Sequence, residues 1–297
     1  MQRTLRTLSM LAFALVFMTG MAFAQDNDAT VTQNANSSDA TITQTGADNT
    51  ADVTQQFGQY HEAILEQVGD DNTVDLVQDN TNTFTDVLQD GDGNTADIFQ
   101  RSRLFVGPGS IGASINLIQD GDNNTADIRQ DAEAGAGGSQ TNVATVSQAG
   151  DANSATVDQN RDIGPGFNSA TIKQGNAAYV SSGNHGSVYQ DGDGNEASFV
   201  LTRGDDNGVD IDQTGGNNYS EYSVKYGDAN DIDVTVDGTS NRTRFSIDAG
   251  WGSRSSDNTI TVQKDGDTNY LSGKIEGDGN TVNVFQDGND NRVGTSW

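Results

Sequence analysis

The sequence predicts an all-β, parallel two-sheet solenoid of about eleven coils, and three observations carry that prediction. The phrase N-x-A-x-V-x-Q recurs as Asn49-Ala51-Val53-Gln55, Asn94-Ala96-Ile98-Gln100, Asn124-Ala126-Ile128-Gln130 and Asn153-Ala155-Val157-Gln159. Alternate residues of a strand share a face, so each phrase puts Asn, Ala, a β-branched residue and Gln on one side. The next phrase often starts eleven residues later, a period too short for an ordinary globular domain. Between phrases stands G-x-x-N, as in Gly46-Asn49, Gly69-Asn72, Gly91-Asn94, Gly121-Asn124, Gly150-Asn153, Gly192-Asn195, Gly215-Asn218 and Gly277-Asn280. Gly and Asn tolerate positive φ, and short polar side chains bond their own backbone, so these are tight turns.

In chain order, Arg3 and Arg6 precede the apolar run Leu8 to Phe17, and Ala22-Phe23-Ala24 is a small-x-small cleavage site. Residues 1–24 therefore read as a secretory signal peptide, too short for a stable membrane anchor, and 25–297 as the repeat domain. With the Gln as anchor and inward residues at anchor minus 6, 4 and 2, anchors fall at Gln33, Gln44, Gln55, Gln67, Gln78, Gln89, Gln100, Gln119, Gln130, Gln148, Gln159, Gln174 and Gln190. They continue at Leu201, Gln213, Val224, Val236, Ile247, Lys264, Ile275, Gln286 and Trp297. That makes 22 candidate strands, 15 of them anchored by Gln. Most gaps are 11 or 12 residues; longer connections lie near 101–112, 131–141, 160–167, 175–183 and 248–257. If alternate strands form opposite sheets, eleven coils stack into a rod roughly 50 Å long. The insertions before Gln119, Gln148 and Gln174 then share one edge and the first-half G-x-x-N turns share the other, so one edge is expected to be uniform and the other ornamented.

Composition excludes several function classes. No cysteine means no disulfide framework and no thiolate metal site. The whole chain carries −28; without Arg3 and Arg6, 13 basic residues face 43 acidic ones, a net −30, which makes nucleic acid a poor partner. Two prolines, Pro108 and Pro165, leave long stretches free to pair as strands. Low apolar content with high charge can signal disorder, but the regular register argues for order. His61 and His185 are the only histidines and no G-x-S-x-G elbow occurs, so no enzyme and no cofactor is expected. His61 reads as an inward substitute at an Asn position, or as exposed. An ice-binding array would need outward T-x-T throughout, and Thr41/Thr43 and Thr259/Thr261 supply it only in patches.

At this point the residues resemble a known family, curlin, the subunit of bacterial curli amyloid fibres, whose repeat reads Q-x-G-x-G-N-x-A-x-x-x-Q. Gln89-Gly91-Gly93-Asn94-Ala96-Gln100 matches at every named position. Gln44-Gly46-Asn49-Ala51-Gln55, Gln119-Gly121-Asn124-Ala126-Gln130 and Gln148-Gly150-Asn153-Ala155-Gln159 match at all but the second glycine. The match is strong over the first two-thirds and loose afterwards. The resemblance implies a secreted subunit that polymerises into cross-β fibres for biofilm matrix and cell adhesion, with an outer-membrane export pore and a nucleating minor subunit as partners. This chain has about twice the coils of a familiar curlin, and its repeats start at once with Asn27-Ala29-Val31-Gln33, so the family's pore-targeting segment is not evident.

Two candidate sites follow. Stacked Asn49, Asn72, Asn94, Asn124 and Asn153, with the Gln anchors, can form amide ladders around a dry Ala/Val/Ile core. An unpartnered buried Gln costs roughly 1–3 kcal/mol, so such ladders would enforce register; the alternative is that Gln only fills corners of a monomer. For end-on assembly, Asn27, Ala29 and Val31 at one end and Asn291, Val293 and Trp297 at the other keep the inward pattern without a cap. Outward Asp52, Asp75, Asp97 and Asp127, and turn Asp70, Asp92, Asp122 and Asp151, stack like charges that repel by roughly 0.8 kcal/mol per pair in water. They read as solvated gatekeepers, with weak binding of divalent cations as the alternative. Asp90-Gly91-Asp92-Gly93-Asn94 begins like an EF-hand loop, but Thr95 and Arg101 stand where glycine and the bidentate Glu belong, so no defined metal site is expected. The different-class alternative is a monomeric acidic, cation-binding surface solenoid acting as an adhesin.

Overall fold

The computed structural model describes residues 15–16, 26–103, 113–133, 142–160, 167–175, 181–248 and 255–294. Among them there is no helix, and every strand pair is parallel. One sheet holds β2 (Asp28–Gln33), β4 (Thr50–Gln59), β6 (Thr73–Thr81), β8 (Thr95–Arg103), β10 (Thr125–Glu133), β12 (Ser154–Asn160), β14 (His185–Asp191), β16 (Gly208–Gly216), β18 (Asp231–Thr239), β20 (Thr259–Asp265) and β22 (Thr281–Asp287), in that order. The other holds β3 (Asp39–Thr45), β5 (Glu62–Val68), β7 (Thr83–Asp90), β9 (Ala113–Asp120), β11 (Asn142–Ala149), β13 (Ser169–Gln174), β15 (Glu196–Leu201), β17 (Tyr219–Val224), β19 (Arg242–Arg244), β21 (Tyr270–Ser272) and β23 (Arg292–Gly294). A two-residue β1 (Leu15–Val16) lies beside β3.

The register follows from the anchors. Gln55 pairs with Gln78, Gln78 with Gln100, Gln100 with Gln130, and Gln119 with Gln148. Where the anchor turns apolar the pairing persists, Leu201 with Val224 and Gln213 with Val236, and Ile247 bridges both Val224 and Ile275. Burial alternates along the strands, so Ala51, Val53, Ile98, Ile128 and Val157 meet the opposite sheet's Ala63, Leu65, Ile115 and Val146 in one continuous core. The three-residue strands β19 and β21 depart from the expected six-to-seven, since each breaks before its anchor.

Turn glycines are fixed by geometry on two counts. Gly121 has φ +119°, and a Cβ there would lie 2.5 Å from the carbonyl oxygen of Gly150 in the next coil. Connections do not disturb the stack: β8 and β10 stay paired from Thr95–Thr125 to Arg103–Glu133 although a long connection leaves β8. The contrast between a uniform and an ornamented edge needs correction, because it holds only for the first half. The segments 175–183 and 248–257 leave from the edge expected to be uniform, while Gly192, Gly215, Gly238 and Gly266 turn at the opposite edge.

Candidate assembly interface

Asn at anchor minus 6 closes each turn. Oδ1 of Asn49 accepts both the backbone N–H and the Nδ2–H of Asn72 (3.0 Å each), and Asn72 Nδ2 also donates to the Gly91 carbonyl at 2.7 Å. One side chain thereby ties three successive coils. The pattern runs without a break through Asn27, Asn49, Asn72, Asn94, Asn124, Asn153, Asn184, Asn207, Asn230, Asn258 and Asn280. A second asparagine ladder, on the other edge, begins only at Asn142 and passes through Asn168, Asn195, Asn218, Asn241 and Asn269 to Asn291. Before it, Ser38, His61, Thr83 and Ala113 fill the position: the His61 N–H donates to Ser38 Oγ, and its ring nitrogens lie 2.7 Å from Thr83 Oγ1 and 2.9 Å from the Phe57 carbonyl. His61 is thus the buried inward substitute.

The Gln anchors form two further ladders. Gln33 Nε2 donates to Gln55 Oε1 at 2.7 Å, and the chain of donors continues through Gln78, Gln100, Gln130, Gln159 and Gln190 to Gln213. On the other sheet Gln44, Gln67, Gln89, Gln119, Gln148 and Gln174 repeat it. Each Nε2 spends its second hydrogen on a carbonyl of the facing sheet, as Gln55 does on Asp39 at 2.8 Å. Both hydrogens and the oxygen are satisfied within a dry core, the condition under which burying an amide is tolerated.

Beyond Gln213 and Gln174 the anchors turn apolar, and buried Tyr222 and Phe245 stack with ring centroids 5.9 Å apart. One anchor is Lys264. Its Nζ donates to the carbonyls of Arg242 and Asn269, it pairs with no carboxylate among the described residues, and burial pushes its pKa from 10.5 down to about 7. The next anchor, Gln286, keeps an Oε1 with no partner among the described residues.

The turn aspartates are not bare stacked charges, a correction to the sequence reading. Asp70 Oδ1 accepts the Ala47 N–H at 2.7 Å, and Asp92, Asp122 and Asp151 accept from the Asp70, Asp92 and Asp122 amides. Each carboxylate is bonded to the adjacent coil's backbone, which offsets part of the repulsion. The outward row Asp52, Asp75, Asp97 and Asp127 does stack, in exposed cross-strand contact. Burial, and then the neighbours Asp97 and Asp52, raise Asp75; burial and Asp97 raise Asp127. Among the described residues no group of three or more His, Asp or Glu is placed to hold a metal. Arg101, in the place of an EF-hand glutamate, pairs with Asp131 across the strands.

At the ends, Ala29 and Val31, and likewise Val293, pack half-buried against the core. Asn27 and Asn291 are the terminal rungs of their ladders, and Trp297 lies outside the described residues. The ladders have direction. Within the ladders each Asn Oδ1 accepts from the following coil, and each Gln Nε2 that is bonded to another Gln donates toward it. One end therefore presents Gln33 Oε1 and the amide of Asn27, and the other presents Gln286 Nε2 and Asn280 Oδ1, complementary on the sheet that runs from β2 to β22.

This architecture defines a parallel two-sheet β-solenoid whose coils are fastened by amide ladders. The model of the curlin associated repeat matches residues 24–56 and 204–238, so these two stretches are similar to curlin repeats. The second stretch lies where the Gln anchors give way to Val224 and Val236, beyond the region where the phrase itself is strong. A search of the curated proteins found no match.

Proposed function

We propose that this protein is a secreted structural subunit that polymerises head to tail into curli-like amyloid fibres on the bacterial surface, serving biofilm matrix and cell adhesion. The observation that carries the reading is the complementarity of the two ends. Gln286 Nε2 meets Gln33 Oε1 of the next copy, and Asn280 Oδ1 meets the amide of its Asn27. Such a contact does not close on itself and therefore propagates. Cleavage after Ala24, export through an outer-membrane pore and nucleation by a minor subunit complete the proposal by family analogy. The 101–112 connection, with Leu104, Phe105, Val106 and Ile111, serves in it as an ornamental contact loop; its residues from 104 on lie outside the described ones.

The test is assembly of the chain from Gln25, released from denaturant and followed by thioflavin fluorescence, electron microscopy and fibre diffraction. Unbranched filaments with a 4.7–4.8 Å axial reflection, slowed by removal of residues 287–297, are the expected result. A soluble β-rich monomer under all conditions would refute the fibre reading and leave the monomeric adhesin.

A further inference from the structure

The acidic chain has one face end where the outward residues of three successive strands carry no acid. The outward residues of β19, β21 and β23 are Arg242 and Arg244, Tyr270 and Ser272, and Arg292 and Gly294. In register they extend a row begun on β17: Tyr219, Arg242, Tyr270, Arg292. Arg242 lies over the Tyr219 ring with its guanidinium 4.9 Å from the centroid. Arg244 forms an ion pair with Glu221 at 3.0 Å, whose charge also acts on Arg242 without an ion pair, and exposed Arg292 pairs with no carboxylate among the described residues. Between them, over Tyr270, opens a shallow cavity of about 540 Å³. Arg242, braced by the Tyr219 ring, and Arg292, exposed in a chain of −28, form a receptor for carboxylates.

The opposite sheet offers the counterpart. Asp52, Asp75, Asp97 and Asp127 are in-register neighbours, and their mutual crowding is relieved by any cation that approaches. Arg242 and Arg292 stand two strands apart, hence about 10 Å, and so do Asp52 and Asp97, or Asp75 and Asp127. Both arrays are printed on the same strand lattice, so they are commensurate without adjustment. We infer that the Tyr219–Arg242–Tyr270–Arg292 row docks on the aspartate row of a second copy, side by side. Donor and acceptor rows lie on opposite faces, so the contact is not self-closing and joins rods into flat rafts. End-on growth is a separate contact; the lateral one stands or falls without it.

Salt gives the contact a signature. Two strongly acidic rods repel at low ionic strength, whereas at about 0.1 M the Debye length of about 10 Å screens the bulk repulsion and spares groups in contact. Near 1 M the contacts are screened too. Rafting is therefore expected to peak near physiological salt. The experiment compares wild type, R242E/R292E and D75K/D127K, each assembled first and then scored for lateral association by low-speed pelleting and microscopy. Each double variant alone should raft about tenfold less than wild type at about 0.1 M salt. Mixing the two should restore association between unlike filaments only. Undiminished rafting of R242E/R292E, or no recovery on mixing, would overturn the inference. Association of wild type only when alginate is added, lost in R242E/R292E, would assign the row to a polyanion and overturn it as well. If no filaments form, the fibre reading fails, and the same variants are compared as soluble rods by sedimentation, where wild-type self-association restored on mixing still supports the lateral contact and its absence overturns it.

Discussion

Replacing Lys264 with Gln should stabilise the protein and abolish one component of its pH dependence. The amine occupies a ladder position, is fully buried and has only two carbonyls for company. Its ordinary pKa of 10.5 is held down to about 7. Between those values the unfolded chain carries a proton that the folded chain lacks, so stability falls as pH drops from 10 toward 7 and levels off below. At 1.36 kcal/mol per pH unit the full displacement corresponds to about 5 kcal/mol, and relaxation around the charge lowers the expected gain from K264Q to about 2–3 kcal/mol at pH 6. The introduced amide also gives Gln286 Oε1 its missing donor, worth about 1 kcal/mol. K264M separates the contributions, since it removes the charge without supplying the donor. The assay is the denaturant midpoint of all three proteins at pH 6, 7, 8.5 and 10. Equal pH slopes for wild type and K264Q between 7 and 10 would refute the reasoning.

Two further outcomes follow from the ladders and the acidic face. Asn124→Ala strips the backbone N–H and Nδ2 of Asn153 of their acceptor deep in an eleven-rung ladder, and should cost about 2–4 kcal/mol by denaturant midpoint; a loss under 0.5 kcal/mol would remove the ladder from the account of register. Acidification should strengthen the coil stack. Burial and neighbouring carboxylates raise Asp75 and Asp233, burial and Asp97 raise Asp127, and Asp158 and Asp212 shift upward the same way with burial first. The folded chain therefore binds protons before the unfolded one, and stability rises as pH falls from 7 through the raised values toward 3.8. Midpoints measured at pH 7, 5.5 and 4.5 check it, and a monotonic fall would contradict it.

Most of the fold was legible because a single spacing encodes it. Once Gln55, Gln78 and Gln100 are taken as equivalent, strand parity, sheet membership and register all follow, and the pairing of Leu201 with Val224 shows that the anchor position matters more than its residue type. The assembly interface was legible as a set of rungs, not as a circuit. That Asn Oδ1 takes two donors from the next coil depends on how the turn aims its backbone, which spacing does not specify. The same turn geometry turns Asp70 and Asp92 into backbone acceptors, so charge counting alone overstated their repulsion. The second asparagine ladder could have been found by counting parity: Asn195 and Asn218 fall on the edge opposite Asn153 and Asn184. Lys264 stood among the anchors in the sequence, and the cost of placing an amine there becomes visible only once it is seen to bond carbonyls and to pair with no carboxylate among the described residues.

The indifference of the stack to what leaves its edges has a consequence for how such a chain can be edited. Gln100 and Gln130 are bonded at 3.2 Å across thirty residues, and Gln55 and Gln78 at 2.9 Å across twenty-three. The distance between rungs is set by hydrogen bonds and not by the length of chain between them. Each connection is therefore a socket at a fixed height on a ruled scale, open to foreign peptide without any change in the ruling. Cargo placed after β8, β10 and β12 would stand on one edge at one-coil intervals, an addressable rack graduated in steps of about 5 Å.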